Sequence, residues 1–149
     1  MKLRIYLDTS VISALHDYRY ASRQEDTQFF WNRLNQFEVS TSEIAREELE
    51  NTQDFDKRRV LLETLKMVVV HPLTREMKEL AGRYISDGIF TETMEDDAFH
   101  VAAAVLLRNN ILVSWNFKHL VNRTRRAKIN SVNTILDLPG IEIVAPPEL

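Results

Sequence analysis

The sequence predicts an α/β fold in which helices cover both faces of a central parallel sheet. Short apolar and β-branched runs alternate with segments of helical periodicity along the whole chain, an order that is typical of parallel sheets. The chain has 149 residues, 44% of them hydrophobic and 28% charged, which is enough to bury the core of one domain. Three glycines and four prolines leave little room for linkers, so we expect a single domain over residues 1–149.

The first half of the chain alternates predicted strands and helices. Residues 2–7 form an alternating, largely apolar run that predicts a strand, and residues 39–40 predict a second, shorter one. Between and after them, apolar side chains recur at helical spacing. We expect helices over residues 11–15, 23–37, 42–51 and 56–66.

The second half of the chain continues this alternation. Residues 67–70 are largely β-branched and are stopped by His71-Pro72, which predicts a third strand. Residues 111–114 and 141–144 predict two more strands. We expect helices over residues 74–86, 93–109 and 120–136, with a turn at Asp87-Gly88.

The composition excludes several classes of protein. Without cysteine the chain can form neither disulfides nor thiolate metal sites, and it suits a reducing compartment. No apolar run approaches the roughly 20 residues that span a bilayer, and the first strand begins too early to leave room for a signal peptide. We therefore expect a cytoplasmic protein with no membrane partner.

Asp8 is the most informative residue because it ends the first predicted strand. Ligands of open α/β sheets bind in the crevice at the carboxyl ends of the strands, where a carboxylate suits a metal ion or a reacting group. Asp8 could instead cap the helix that follows, since Asp, Ser and Thr are all favourable N-cap residues. Taken alone, its position leaves both interpretations open.

Glu48 is the glutamate of its predicted helix that projects toward the core. At ~100° per residue, Glu48 falls in the same arc as Ile44 and Leu49, whereas Glu47 falls outside it. A carboxylate on the core side needs a partner, because an uncompensated buried charge is strongly unfavourable. A metal ion would be such a partner. An arginine, or a side chain that reaches solvent from the margin, is the alternative.

Asp96 and Asp97 enter a predicted helix that is apolar on nearly every side. Acidic residues in a first turn favour the helix dipole, but two at the start of a buried helix are more than capping requires. His100 lies one turn further along and could bond either carboxylate. We interpret it as a buried structural histidine in preference to a metal ligand.

Asn116 follows the strand at 111–114 and so lies at another carboxyl end, while Trp115 and Phe117 are interpreted as packing residues. From Ala98 to Leu136 the chain has no Asp or Glu, although its net charge is −3. This basic segment predicts a local nucleic-acid surface, and a solvated helix face is the alternative. Its candidate RNA-binding residues are Lys118, His119, Arg123, Arg125, Arg126 and Lys128.

Three acids, Asp8, Glu48 and Asp97, with Asn116 as a polar fourth residue, are expected to converge above one edge of the sheet. All-oxygen ligands suit Mg²⁺ or Mn²⁺, with substrate phosphates completing the shell. Such an ion would generate hydroxide and stabilise an in-line displacement at phosphorus. No Gly-rich phosphate loop occurs, so nucleoside triphosphate chemistry is not expected.

Four motifs follow one another along the chain. They are Leu7-Asp-Thr-Ser-Val-Ile12, Glu48-Leu49, Asp97-Ala-Phe-His-Val-Ala102 and Ser114-Trp-Asn-Phe-Lys-His119. In order and spacing they resemble PIN-domain proteins, in the branch related to VapC toxins, and the resemblance covers essentially the whole chain. It implies a Rossmann-like three-layer α/β/α sandwich and Mg²⁺- or Mn²⁺-dependent ribonuclease activity. It places the catalytic residues at Asp8, Glu48, Asp97 and Asn116, with the three acids as metal ligands.

The chain departs from this pattern at Asn116, where many PIN domains carry Asp. Asn supplies an oxygen but no charge, which weakens the case for a second metal ion, and Asp96 is a candidate to compensate. Glu47 is an alternative to Glu48 if the register differs by one residue, although the helical arc favours Glu48.

These observations predict a metal-dependent endoribonuclease that hydrolyses RNA phosphodiesters. The resemblance extends this prediction to the toxin of a type II toxin–antitoxin pair, with a small antitoxin partner and a homodimeric state. The alternative is a catalytically weak PIN module that binds RNA or protein. A small-molecule phosphohydrolase is disfavoured, because a small substrate needs one or two cations rather than a basic track.

Overall fold

A five-stranded parallel sheet forms the centre of the protein in a computed structural model that describes all residues, Met1–Leu149. Neighbouring strands are parallel throughout, and their order is β3-β2-β1-β4-β5. The predicted α/β class is confirmed. The strands are β1 (Arg4–Leu7), β2 (Glu38–Ser42), β3 (Val69–His71), β4 (Ile111–Val113) and β5 (Glu142–Val144).

Seven α-helices connect the strands. None of them combines the length and apolar character that crossing a membrane requires. Short 3-10 helices lie at residues 34–36, 92–94 and 146–148. The α-helices are α1 (Thr9–Leu15), α2 (Ala21–Trp31), α3 (Glu43–Glu50), α4 (Phe55–Leu65), α5 (Arg75–Ser86), α6 (Glu95–Leu106) and α7 (Arg123–Ile135).

The sheet separates two hydrophobic cores, which gives the expected three layers. In β1, Ile5 and Leu7 face the core formed with α1 to α4, while Tyr6 faces the core formed with α5 to α7. This alternation follows from the two-residue period of a strand, and all three side chains are fully buried because both faces are covered. Helix α6 is buried along most of its length, and several of its buried residues are small, such as Ala102 and Ala103.

The strand order creates a crevice beside β1. From β1 the chain adds β2 and β3 on one side, and it then returns to add β4 and β5 on the other. The connections after β1 and β4 therefore diverge, and such a switch point is where open α/β sheets bind ligands. Asp8 follows β1 at this point, and Ser114 follows β4.

Several predicted boundaries differ from the structure, and three of them have a clear local cause. The helix expected over 23–37 ends at Trp31, where the N–H of Arg33 turns back to the carbonyl of Phe30 and a 3-10 turn follows. The strand expected over 67–70 lies at Val69–His71, because the N–H groups of residues 67 and 68 still close the last turns of α4. The helix expected over 93–109 ends at Leu106, since Arg108 adopts a positive φ of 61°.

Candidate active site at the carboxyl end of the sheet

Asp8 both caps a helix and faces the crevice at the carboxyl end of the sheet. It is the N-cap of α1, and its Oδ1 accepts a hydrogen bond from the backbone N–H of Ser10 at 3.1 Å. Its Oδ2 reaches across the crevice and accepts from the hydroxyl of Ser114 at 2.6 Å. Capping therefore does not compete with a site at this position, because different carboxylate oxygens serve the helix and the crevice.

Two serines hold the Asp8 carboxylate from opposite sides. The Ser10 hydroxyl donates to Oδ1 at 2.5 Å and also accepts the backbone N–H of Trp115, while the Ser114 oxygen accepts that of Asn116. Burial raises the pKa of Asp8 and the charge of Glu48 adds to this effect, against the opposing influence of the serines and a histidine described below. The sequence analysis did not identify either serine as part of the site. The one sequence feature that could have indicated them is their position just beyond a strand.

Glu48 lies where the helical arc places it. Its Oε1 accepts hydrogen bonds from the Thr9 hydroxyl at 2.7 Å and from His100 Nε2 at 2.6 Å, whereas Glu47 is exposed. Burial raises the pKa of Glu48, but the bonds to His100 and Thr9 outweigh this effect and lower it. Thr9, which the sequence interpretation did not single out, thus links α1 to α3 through Glu48.

His100 is buried at the centre of this arrangement. Its Nε2 must carry a proton to bond Glu48, because a carboxylate only accepts, and its Nδ1 lies 2.8 Å from the Tyr6 hydroxyl. Burial lowers the pKa of His100, but Tyr6, Glu48 and Asp8 outweigh this effect and raise it to about 10. The prediction that His100 bonds Asp96 or Asp97 is wrong, since α6 turns the ring toward β1 and α3.

Asp97 belongs to a second group of side chains. Its Oδ2 lies 3.0 Å from Nδ1 of His119, whose backbone N–H donates to Asn116 Oδ1. The Asp96 side chain is largely exposed. Its pKa is nevertheless raised, first by the burial of part of the side chain and then by the nearby carboxylates of Glu48 and Asp97. The bond from the Asn116 N–H to the serine at the end of β4 connects this second group to Asp8.

The expected convergence of Asp8, Glu48 and Asp97 on one ion is not formed in this structure. No group of three or more acidic or histidine side chains lies close enough together to hold a metal ion. The physical reason is that Glu48 faces His100 and Asp97 faces His119. The carboxylates are of the chemical type that Mg²⁺ prefers, but a cation would have to draw Glu48 and Asp97 away from their histidines, so metal binding stays a prediction.

The basic segment divides into structural and exposed cations. Arg125 donates to the backbone carbonyls of residues 89, 118 and 119, and Arg126 donates to that of Ile143. Lys118, Arg123 and Lys128 are exposed and make no ion pair or side-chain hydrogen bond within the chain. RNA binding by the six predicted residues stays a prediction, with these three as the available phosphate contacts.

Comparisons with known proteins define the fold. FitAcB from Neisseria gonorrhoeae superposes with a TM-score of 0.62 at 15% identity, over 97% of this chain and 99% of that one. VapBC2 from Rickettsia felis, bound to a promoter DNA fragment, superposes with a TM-score of 0.61 at 11% identity, over 96% and 98%. The sequence itself matches no protein-family model and no curated protein.

A third similar structure is VapC20 from Mycobacterium tuberculosis, a toxin that cleaves the sarcin-ricin loop. It superposes with a TM-score of 0.61 at 19% identity, over 77% of this chain and 92% of that one. The chain has a VapC-like PIN-domain fold. The PIN-like fold and the parallel sheet predicted from the sequence are thereby confirmed, while the roles of individual site residues remain predictions.

Proposed function

We propose that the protein is an endoribonuclease that hydrolyses RNA phosphodiesters at the crevice beside Asp8. The observation that carries this proposal is the Asp8 carboxylate itself. It is 3% exposed, held by three hydrogen bonds and electrostatically coupled to Glu48, at the switch point of a parallel sheet. A buried carboxylate whose pKa is raised lowers the stability of the fold when it is ionised, which supports a catalytic purpose for Asp8.

The surrounding side chains prepare this pair for chemistry. The two serines fix the orientation of the Asp8 carboxylate, and His100 fixes that of Glu48. Glu48 keeps its second oxygen free of hydrogen bonds within the chain, so this oxygen can orient a nucleophilic water or meet a cation. Prior orientation of this kind removes much of the entropic barrier to the reaction.

The proposal includes a divalent cation, Mg²⁺ or Mn²⁺. When bound, such an ion supplies a hydroxide at neutral pH and stabilises charge on the phosphate oxygens. The candidate ligands are Asp8, Glu48 and Asp97, with Asp96 as the alternative acid and Asn116 as an uncharged oxygen donor. The exposed Lys118, Arg123 and Lys128 would hold the phosphate backbone of the RNA.

A catalytically weak PIN module that binds RNA or protein is the second candidate. The pairing of Glu48 with His100 and of Asp97 with His119 favours it, because both carboxylates already have partners. The two candidates differ in one measurable property, which is cleavage.

Cleavage of single-stranded RNA in Mg²⁺ or Mn²⁺ tests the proposal. We expect cleavage by the protein, loss of cleavage in Asp8→Asn, and full activity in Asp137→Asn. Asp137 is a suitable control because it lies outside the site at a positive φ of 57°, which Asn also tolerates. Stable binding of RNA without any cleavage would instead establish the binding module.

The partners follow the same proposal. The structures from Rickettsia felis and Klebsiella pneumoniae are toxin–antitoxin complexes, so we propose a small antitoxin partner, a homodimeric toxin and a cytoplasmic location. Light scattering of the protein alone would give its oligomeric state. Co-expression with the reading frame next to its gene should yield a stable complex that suppresses cleavage, and an unbound, fully active protein would contradict the antitoxin.

A further inference from the structure

A solvent-filled cleft of about 400 Å³ lies beside the candidate active site, between the start of α2 and the loop after β4. Its walls come from Tyr20, Arg23, Asp26 and Trp115, together with the small residues at 21 and 22. Tyr20 is 56% exposed, whereas Trp115 is 8% exposed and closes the cleft on the side of the sheet.

The flat groups of this cleft are arranged against one another. The guanidinium of Arg23 lies 5.0 Å from the centre of the Trp115 ring and 5.8 Å from that of Tyr20. The guanidinium of Arg19 lies 5.5 Å from the centre of the Tyr20 ring, but its charge is already neutralised by a bidentate pair with Asp17. Arg23 makes no such pair, so the cleft holds a free cation between two aromatic rings.

Trp115 joins the cleft to the candidate active site. Its backbone N–H donates to the Ser10 hydroxyl, which in turn donates to Asp8. Its indole N–H donates to the buried Thr27 of α2 at 2.9 Å, so the ring has a fixed position. The cleft and Asp8 are therefore separated by only two residues, Trp115 and Ser10, and one RNA strand could contact both.

We propose that this cleft binds an unpaired nucleobase of the RNA next to the cleaved phosphate, an inference that rests on the proposed ribonuclease function. Aromatic rings and guanidinium planes are the surfaces on which splayed-out bases stack. Asp26 opposes a phosphate in the same cleft by like-charge repulsion, yet it can accept hydrogen bonds from the N–H groups of a base. The cleft therefore suits a base of the RNA better than it suits the phosphate backbone.

Binding of fluorescently labelled single-stranded RNA tests the inference, in an Asp8→Asn background that prevents cleavage. The test variant is Tyr20→Ala, and Tyr20→Phe preserves the ring. Phe29→Ala is the matched control, because Phe29 is a 68% exposed aromatic residue of α2 with its own guanidinium neighbour, Arg33. Each protein is measured against the same RNA with and without its bases, the second being an abasic strand.

Because Tyr20→Ala removes one stacking surface, we expect it to weaken RNA binding by roughly 5- to 150-fold. Tyr20→Phe and Phe29→Ala should bind RNA as tightly as the parent protein does. The weakening should vanish on abasic RNA, and the salt dependence should be unchanged, since stacking releases no counterions. Equal weakening on both RNAs, or none on either, overturns the cleft as a base site. If unmodified protein still cleaves RNA in that case, the proposed function stands; if it neither binds nor cleaves RNA, both are overturned.

Discussion

The buried Asp8 carboxylate makes the stability of the protein depend on pH. Burial raises its pKa above 3.8, so the folded state binds a proton more readily than the unfolded chain does. The stability that comes from this tighter proton binding is greatest at low pH, and it is lost as the pH rises through the raised pKa of Asp8. At neutral pH the ionised carboxylate therefore lowers the free energy of unfolding.

Asp8→Asn should consequently stabilise the folded protein at neutral pH while it abolishes cleavage. The gain in the free energy of unfolding should shrink as the pH falls toward 3.8, the ordinary pKa of an aspartate. Urea denaturation across this range measures the difference. Asp17→Asn is the control of opposite sign, because hydrogen bonds from Arg19 lower the pKa of Asp17 to about 2. A destabilised Asp8→Asn protein would show that the serines favour the charged form more than burial opposes it.

His100 acts in a different pH range. Its pKa is raised to about 10, so the stabilisation it provides is complete below 6.5 and is lost as the pH rises through 10. Between these values the free energy of unfolding should fall by up to about 1.4 kcal/mol per pH unit. His100→Gln should remove this slope.

His16→Gln is the matched control for that measurement. Burial lowers the pKa of His16 below 6.5, so His16 is neutral in both states well above pH 6.5 and adds no slope there. The free energy of unfolding is obtained by urea denaturation at several pH values. An equal slope in parent and His100→Gln proteins would show that His100 stays neutral.

Among the secondary structure elements, α7 carries two kinds of arginine. Arg125 donates to three backbone carbonyls and lies 5.1 Å from the centre of the Phe90 ring, whereas Arg123 is exposed. Arg123→Ala should weaken RNA binding and lower the slope of log K against log salt by about one, without a change in melting temperature. Arg125→Ala should lower the melting temperature, because it leaves carbonyls without donors.

Each of these two variants serves as the control for the other. Fluorescence anisotropy at several salt concentrations gives the slope, and a thermal melt gives the stability. Arg123 would be an ordinary solvated residue if its replacement left the slope unchanged. Arg125 would be a phosphate contact if its replacement changed the slope but not the melting temperature.

Local patterns predicted the elements well, because a helix or strand imposes its own period on the sequence. The position of Glu48 followed from helical geometry alone. Contacts between distant segments were not accessible in this way. The partner of His100 is 52 residues away, and Ser114 reaches Asp8 across 106 residues. A pattern that places acids at strand ends does not show which of them a histidine will face.

At the scale of the whole molecule, the proposed cation binding would be linked to folding. Asn116→Asp adds a carboxylate near Asp97, which should destabilise the metal-free protein by like-charge repulsion. Added Mn²⁺ should offset this loss, since an ion that binds only the folded state stabilises it. Thermal melts of both proteins with chelator and with Mn²⁺ compare the shifts. An identical shift in the two would place Asn116 outside the reach of the ion.

The position of β1 in the middle of the sheet also constrains how the protein is made. Asp8 is synthesised well before the serine that holds it, because that serine follows β4 and lies 106 residues further along the chain. The crevice of the growing polypeptide stays incomplete until β4 pairs with β1. The two sides of the crevice therefore come together only once β4 has been made, however early β1 and β2 pair during synthesis.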